Sequence, residues 1–285
     1  MEKFHLFPLF LLYFLSLLLF SSAYTPQNKF FINCGSKTNV TVNGRNFVSD
    51  SNSSSLSFSV GPSSTVSDTN SSTNNSLYQT ARIFTTSSLY EFDIIDKGTY
   101  YVRIHFFPFV SGRTNLADAL FDVSASDFYL LSNFALQNNS NSPVVEEFLL
   151  TINGSKFSIQ FTPHKNSFAF VSAVEVFLTP PNFITDGFTH VTPIGENGDY
   201  YGIPSQVFHT IHRVNVGGPK TNDTLWRNWI PDDEYLLSAG SAKTCATYNG
   251  TLIYDVLGGT NYSAPDLVYK TCKELNLTVD RKSVV

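Results

Sequence analysis

The chain has 285 residues, of which 42% are hydrophobic, 15% aromatic and 14% charged, and its 26 Phe, 14 Tyr and 2 Trp supply enough apolar surface to exclude a disordered chain. A net charge of −5 excludes the basic footprint of a nucleic-acid binder. Abundant Ser, Thr and Asn beside a single Met favour strands and turns over helix interiors.

At the N-terminus Lys3 precedes an apolar run from Leu6 to Phe20, followed by Ser21-Ser22-Ala23. The run is shorter than the ~20 residues that span a bilayer. Residues 1–23 therefore read as a secretory signal peptide cleaved before Tyr24. No later stretch reaches spanning length, so the mature chain is expected to be soluble and extracellular. Export brings glycosylation, and acceptor triplets begin at Asn39, Asn52, Asn70, Asn74, Asn138, Asn153, Asn222, Asn249, Asn261 and Asn276. That is about twice what chance gives in a chain of this composition.

Lys29–Cys34 is a short aromatic-aliphatic strand ending at Gly35. Residues 49–76 are a polar tract with scattered apolar positions, expected to be a long surface loop. Leu89–Ile95 follows, then a turn at Asp96-Lys97-Gly98. Thr99–Phe109 is the richest strand of the chain. A period of two places Tyr100, Val102, Ile104 and Phe106 on one face, the core, and Tyr101, Arg103, His105 and Phe107 on the other. Further strands are expected at Leu120–Ser124, Asp127–Leu131, Val145–Ile152, Lys156–Phe161 and Phe168–Leu178, with Asn153-Gly154 marking a hairpin. Closely spaced strands separated by turn signals describe an antiparallel sandwich.

Pro180-Pro181 then stops the sheet, because proline supplies no donor for a ladder. The division expected is a first domain at 24–180, a linker at 181–204 and a second segment at 205–285. The second segment offers Val207–Val216, a Gly217-Gly218-Pro219 turn, and Leu225–Leu237 carrying Trp226 and Trp229. A short helix opens at Pro265 with Ser263 as its cap, and Val268, Cys272 and Leu275 share its face. This segment is shorter than the ~100 residues of a closed sandwich, so it is expected to be incomplete.

Catalytic chemistry finds no anchor. Gly217-Gly218 lacks the context of a phosphate-binding loop. His209 and His212 fall on opposite faces of an expected strand, where they cannot chelate one metal. Asp232-Asp233-Glu234 reads as a solvated turn. Neither an enzyme, a metal nor a cofactor is expected. Cys34, Cys245 and Cys272 show no metal-binding spacing. In an oxidising compartment one of the three stays buried and free, or its partner lies outside this chain, and the pairing is open.

The residues Tyr101, Arg103, His105 and Phe107 have two readings. They form a sugar platform, with rings stacking on pyranose faces and Arg103 donating to hydroxyls. Alternatively they are a second core layer with Arg103 paired to Glu147 or Glu175, and the greater weight falls there. Trp226 and Trp229 are either partner anchors or the core of the second segment, again with more weight on the core.

Several stretches together resemble one family. KFFINCGS (29–36), LYQTARIF (77–84), YYVRIHFFPF (100–109) and the run 146–177 are similar to the first malectin-like domain of plant receptor-like kinases of the FERONIA/THESEUS type. HTIHRVNVGGPKTNDTLWRNWIPDDEYL (209–236) and SAPDLVYKTCKEL (263–275) resemble the opening of the second. The resemblance implies an all-β fold of tandem malectin-like jelly-roll β-sandwiches, the second incomplete. It implies a ligand-binding ectodomain at the plant plasma membrane or in the apoplast. The partners it implies are a secreted rapid-alkalinisation-type peptide, a GPI-anchored co-receptor, and pectin or another wall glycan. The family's transmembrane helix and Ser/Thr kinase have no counterpart in this sequence. The alternatives are a freestanding secreted carbohydrate-binding lectin and a structural wall glycoprotein.

Overall fold

A computed structural model of the chain describes residues 24–51, 58–70, 72–136, 142–181, 183, 205–238, 240–254 and 262–276. The expected signal peptide, nearly all of the expected linker, and Asn52, Asn138 and Asn261 lie outside the described residues. The chain divides into two compact units, one of Pro26–His212 and one of the residues after His212 together with Tyr24 and Thr25.

The larger unit contains β1 (Lys29–Asn33), β2 (Val40–Val42), β3 (Arg45–Ser49), β4 (Phe58–Val60), β5 (Ser64–Ser67), β6 (Thr80–Phe84), β7 (Ser88–Asp93), β8 (Gly98–Phe106), β9 (Val110–Ser111) and β10 (Thr114–Asn115). It continues with β11 (Phe121–Ala125), β12 (Phe128–Phe134), β13 (Val144–Ile152), β14 (Lys156–Pro163), β15 (Ala169–Val171), β16 (Ala173–Leu178) and β17 (Phe208–His209). A seven-stranded sheet in the order β17-β13-β8-β16-β1-β3-β2 and a five-stranded sheet in the order β12-β11-β14-β7-β4 are its main elements. A small sheet, β15-β6-β5, accompanies them.

Side-chain alternation explains the five-stranded sheet. β7 and β11 alternate buried and half-buried positions, the pattern of a strand with one face on the core. Strand β8 differs: from Tyr100 to Phe106 every residue is buried, as a central strand covered on both faces requires. Tyr100, Val102, Ile104 and Phe106 have no exposed surface, as the period-two reading of this strand requires. Phe106 lies 4.6 Å from Phe134 and 5.6 Å from Phe121, ring centre to ring centre, and Phe30 lies 5.1 Å from Phe92, so aromatic pairs tie the two sheets together.

Backbone constraints shape the edges. Gly35 ends β1 at φ 73°, and a Cβ there would come within 2.3 Å of the Ala81 carbonyl oxygen, so only glycine fits. The polar tract at 49–76 is not one loop. Phe58, Leu77 and Tyr78 are buried anchors, and they allow β4, β5 and a 3₁₀ turn at Ser76–Tyr78 to form within it. The run expected as one strand over Phe168–Leu178 breaks at Ser172. There the Ser172 N–H donates to the His105 carbonyl and its hydroxyl accepts from Phe107 N–H, so β15 pairs with β6 while β16 pairs with β8.

The division between units also falls later than position 205. Phe208 and His209 add to the edge strand β13, and Thr210 N–H donates to the Glu147 carbonyl, which keeps these residues with the first sheet.

The smaller unit contains β18 (Val214–Asn215), β19 (Thr221–Asn222), β20 (Asn228–Pro231), β21 (Ala242–Thr244) and β22 (Lys273–Leu275). The strands expected over Val207–Val216 and Leu225–Leu237 survive only as short pieces, and a 3₁₀ turn at Asp233–Tyr235 interrupts the second. The helix is a single turn, Asp266–Tyr269, with Pro265 rather than Ser263 at its N-cap position. Val268, Cys272 and Leu275 share no helical face, because Leu275 belongs to β22 and Cys272 is bonded to Cys245 beside the β21–β22 pair. Cys34 is the free, buried thiol, the first of the two alternatives left by the odd cysteine count. Gly217 turns at φ 69° against the Cys272 carbonyl, where a Cβ would approach to 2.0 Å. The tight-turn reading of Gly217-Gly218 fits this geometry.

Phe106 reaches both sheets, so Phe106→Ala is expected to lower unfolding free energy by about 3–5 kcal/mol. Urea unfolding of the purified chain followed by tyrosine fluorescence and circular dichroism checks this.

Candidate functional site

The four singled-out residues of β8 are brought together, but inside the protein. Tyr101, Arg103, His105 and Phe107 are exposed by only 3%, 3%, 4% and 1%. A sugar platform needs open ring faces, and these rings face protein. Phe107 stacks on Tyr78 at 5.7 Å, and Tyr101 meets Phe177 at 5.5 Å and Phe183 at 5.6 Å. The Arg103 guanidinium lies 5.4 Å from the centre of the Tyr101 ring and 5.1 Å from that of Phe177. The odd face of β8 is a second buried layer.

Its polar groups close on one another. Arg103 Nε donates to Glu147 Oε2 at 2.6 Å and Nη1 to Glu175 Oε2 at 3.2 Å, so both carboxylates weighed as alternatives are partners at once. The register places all three side by side, Arg103 opposite Glu147 on β13 and opposite Glu175 on β16. Arg45 Nη1 donates to both Glu175 oxygens at 2.7 and 2.8 Å, and His105 Nε2 lies 2.8 Å from Oε1. With Glu175 ionised, Nε2 carries the proton, and Nδ1 faces the Tyr78 hydroxyl at 2.9 Å. Thr210 Oγ1 donates to the remaining oxygen of Glu147 at 3.0 Å.

Burial by itself raises the Glu175 carboxyl, but the Arg103 charge, the His105 hydrogen bond and Arg45 outweigh it and hold the group well below the ordinary carboxylate range. Burial, then the Glu175 charge, pushes the Tyr78 hydroxyl up to about 12.

A second cluster went unread in the sequence. Asp50, buried at the start of the polar tract, accepts from Arg82 Nε and Nη2 at 2.7 Å each, from the Tyr90 hydroxyl at 2.6 Å and from Gly35 N–H at 2.9 Å. Burial raises the nearby Cys34 thiol, followed by the charge of Asp50, so Cys34 stays protonated and unreactive. No local pattern announces Asp50; its side-chain partners come from β6 and β7, more than thirty positions away.

In the smaller unit Asp223 plays the same part. It accepts from the N–H groups of Leu225 and Arg227, from Arg227 Nε at 2.6 Å and from Trp229 Nε1 at 2.9 Å. The tryptophans are half-buried members of this turn, and the fully buried residue beside them is Leu225. Asp232 is not solvated as expected: it is buried, accepting from Gly217 N–H at 2.9 Å and pairing with Lys273, while Asp233 and Glu234 face solvent. Among the described residues no group of three His, Cys, Asp or Glu side chains has metal-binding geometry, and no helix is long and apolar enough to cross a membrane.

A sandwich with structural rather than reactive polar clusters is the setting for the comparisons with known proteins. The family model of the malectin-like domain matches residues 32–276. The chain belongs to the malectin-like domain family. Its sequence is 36% identical over 255 residues to the receptor-like protein kinase THESEUS 1 of Arabidopsis thaliana, covering 88% of this chain and 29% of that protein. The chain thus spans less than a third of that relative. Among solved structures, the ANXUR2 extracellular domain of Arabidopsis thaliana superposes with a TM-score of 0.71 at 26% identity, covering 86% of this chain and 65% of that one. A complex of the plant peptide RALF23 with FER and LLG2 matches with a TM-score of 0.67 at 28% identity, over 87% of this chain and 65% of that one. This malectin-like chain corresponds to the ectodomain region of receptor-like kinases, a non-catalytic region.

Because the folded state holds Glu175 ionised more strongly than the unfolded state does, its contribution is complete above the ordinary carboxylate range and is lost as pH falls below ~4. Glu175→Gln is expected to flatten the acid limb of the stability profile. Near neutrality it is expected to destabilise by about 3–5 kcal/mol, since two arginines lose a buried counter-charge. Chemical denaturation from pH 3 to 8 measures both.

Proposed function

We propose that this malectin-like chain is the extracellular, ligand-binding part of a receptor-like kinase, exported by residues 1–23 and N-glycosylated. In this reading it binds a secreted rapid-alkalinisation-type peptide together with a GPI-anchored co-receptor, an acidic wall polysaccharide such as pectin, or both. It acts as a binding module and not as a catalyst. The observation that carries the reading is the likeness to FER, solved with RALF23 and LLG2. Glycosylation is supported by exposure: Asn39, Asn70, Asn74, Asn153, Asn222 and Asn249 face solvent, while Asn276 is half-buried. The buried face of β8 is a scaffold in this reading, so its ligands engage surface loops instead.

The test is biolayer interferometry on the full chain secreted from plant cells, with a rapid-alkalinisation-type peptide, with that peptide plus an LLG-type co-receptor, and with polygalacturonate. Saturable binding of at least one is expected; binding of none refutes the reading. On the same material, N-glycanase digestion is expected to lower the apparent mass by several glycans, and an unchanged mass overturns the glycosylation.

A further inference from the structure

We propose that the Cys245–Cys272 disulfide of the smaller unit is a redox switch, opened by a dithiol reductant and closed again by oxidation. In the open state the β21–β22 pair comes away from the Gly217 turn, while the larger unit keeps its fold. The inference is independent of the ligand-binding function proposed above, because it concerns the state of the smaller unit and no ligand.

Position and access single out this bond. The two cysteines face each other across an antiparallel pair: Thr244 lies opposite Lys273, and Cys245 N–H donates to the Cys272 carbonyl at 3.0 Å. Cys272 is exposed and Cys245 half-buried, with Ala246, Thr247 and Glu274 exposed around them. β21 and β22 have three residues each and no third strand beside them among the described residues. A two-stranded pair of that size is marginal by itself. The disulfide, which closes a span of 27 residues, therefore carries much of its stability. A disulfide open to solvent is the kind that thiols reduce, whereas one sealed in a core is protected. Cys34 makes the contrast: it is buried in the larger unit, and burial pushes its thiol up and out of exchange chemistry.

Opening reaches beyond the strand pair because Cys272 packs against the turn at Gly217, so closely that a Cβ there would come within 2.0 Å of the Cys272 carbonyl oxygen. Both neighbours of Cys272 are tied to the same region. Thr271 Oγ1 donates to Asn215 Oδ1 at 2.8 Å. Lys273 Nζ lies 3.3 Å from Asp232 Oδ1, the oxygen that accepts from Gly217 N–H at 2.9 Å. Asn215 ends β18, which pairs with β20, the strand that carries Trp229. A continuous set of contacts thus runs from the disulfide to a tryptophan, and it loosens when the strand pair does.

The chemistry is thiol–disulfide exchange. One thiol of the dithiol loses its proton and attacks Sγ of Cys272, the exposed member. The S–S bond breaks, and Cys245 leaves as a thiolate that takes up a proton. The second thiol of the reductant, deprotonated in turn, attacks the mixed disulfide and frees Cys272, which is protonated likewise. Two electrons pass to the protein, giving two cysteine thiols, and the dithiol is oxidised to its disulfide.

The experiment treats the full secreted chain with dithiothreitol, in native buffer and in concentrated urea, and follows alkylation of each cysteine by mass spectrometry. With Cys34 free, Cys245–Cys272 is the one disulfide the reagent meets. Reduction in native buffer is expected within about 100-fold of the rate in urea, with Cys34 left unalkylated in native buffer. Hydrogen exchange in residues 214–217, 242–245 and 272–275 is expected to rise about ten-fold or more on reduction, while β8 and β16 exchange as before. Tryptophan emission is expected to shift to the red, and reoxidation to restore the starting state. Native reduction slower than that limit overturns the proposal, since the bond is then protected. Reduction that leaves exchange and emission unchanged overturns it too, because the bond then controls nothing. Alkylation of Cys34, or loss of the strand signal in circular dichroism, shows that reduction unfolds the larger unit and overturns a switch confined to the smaller one.

Discussion

Glu175 sits on β16, near the middle of a seven-stranded sheet, with none of its surface exposed. An ionised carboxylate in that position is tolerated only if donors surround it, since an unpaired buried charge is far costlier than any hydrogen bond it displaces. The donors arrive from different strands: Arg45 from β3, Arg103 and His105 from β8. Arg103 then carries the network to Glu147 on β13, and Glu147 accepts from Thr210 beyond β17. A slip of one residue in any of these pairings turns that strand's side chain to the opposite face and removes its link from the network. The outer layer therefore pins the register of the sheet, while the aromatic layer on the inner face supplies the bulk of the burial.

The same device recurs where the chain has no regular ladder. Asp50 binds the end of β3 to β6 and β7 through Arg82 and Tyr90, and Asp223 organises the turn that carries both tryptophans. Each aspartate accepts from backbone N–H groups as well as from side chains, so it satisfies donors that an irregular segment leaves over. These carboxylates are structural, and they account for much of the small charged fraction that lies beneath the surface.

In a binding module the scaffold and the recognising surface are separate. The charges most visible in the sequence, those of β8, are spent inside the sandwich. What stays exposed are loops and turns, positioned by buried residues such as Phe109 and Leu116. This agrees with membership of a family whose relatives carry malectin-like domains outside the membrane and a kinase elsewhere in the same polypeptide.

From the sequence alone, the all-β class and the core face of β8 were determined, because a period of two is written into neighbouring residues. The turn at Asn153-Gly154 was legible too, but the hairpin expected there does not form, since β13 pairs with β8 and β17 while β14 crosses to the other sheet and pairs with β7 and β11. The motifs of the family were legible for a similar reason: a run such as Gly-Gly-Pro…Trp…Trp-Ile-Pro-Asp-Asp encodes a close backbone approach and an aspartate-centred turn in one short stretch. Tertiary structure alone decided that the strands of 49–76 would form, that Phe168–Leu178 would break at Ser172, and that Asp50 would be buried. It also decided that Tyr101, Arg103, His105 and Phe107 would be core and not platform. Each of these depends on partners far away in the chain, and alternation along a strand says which residues share a face but not what covers that face.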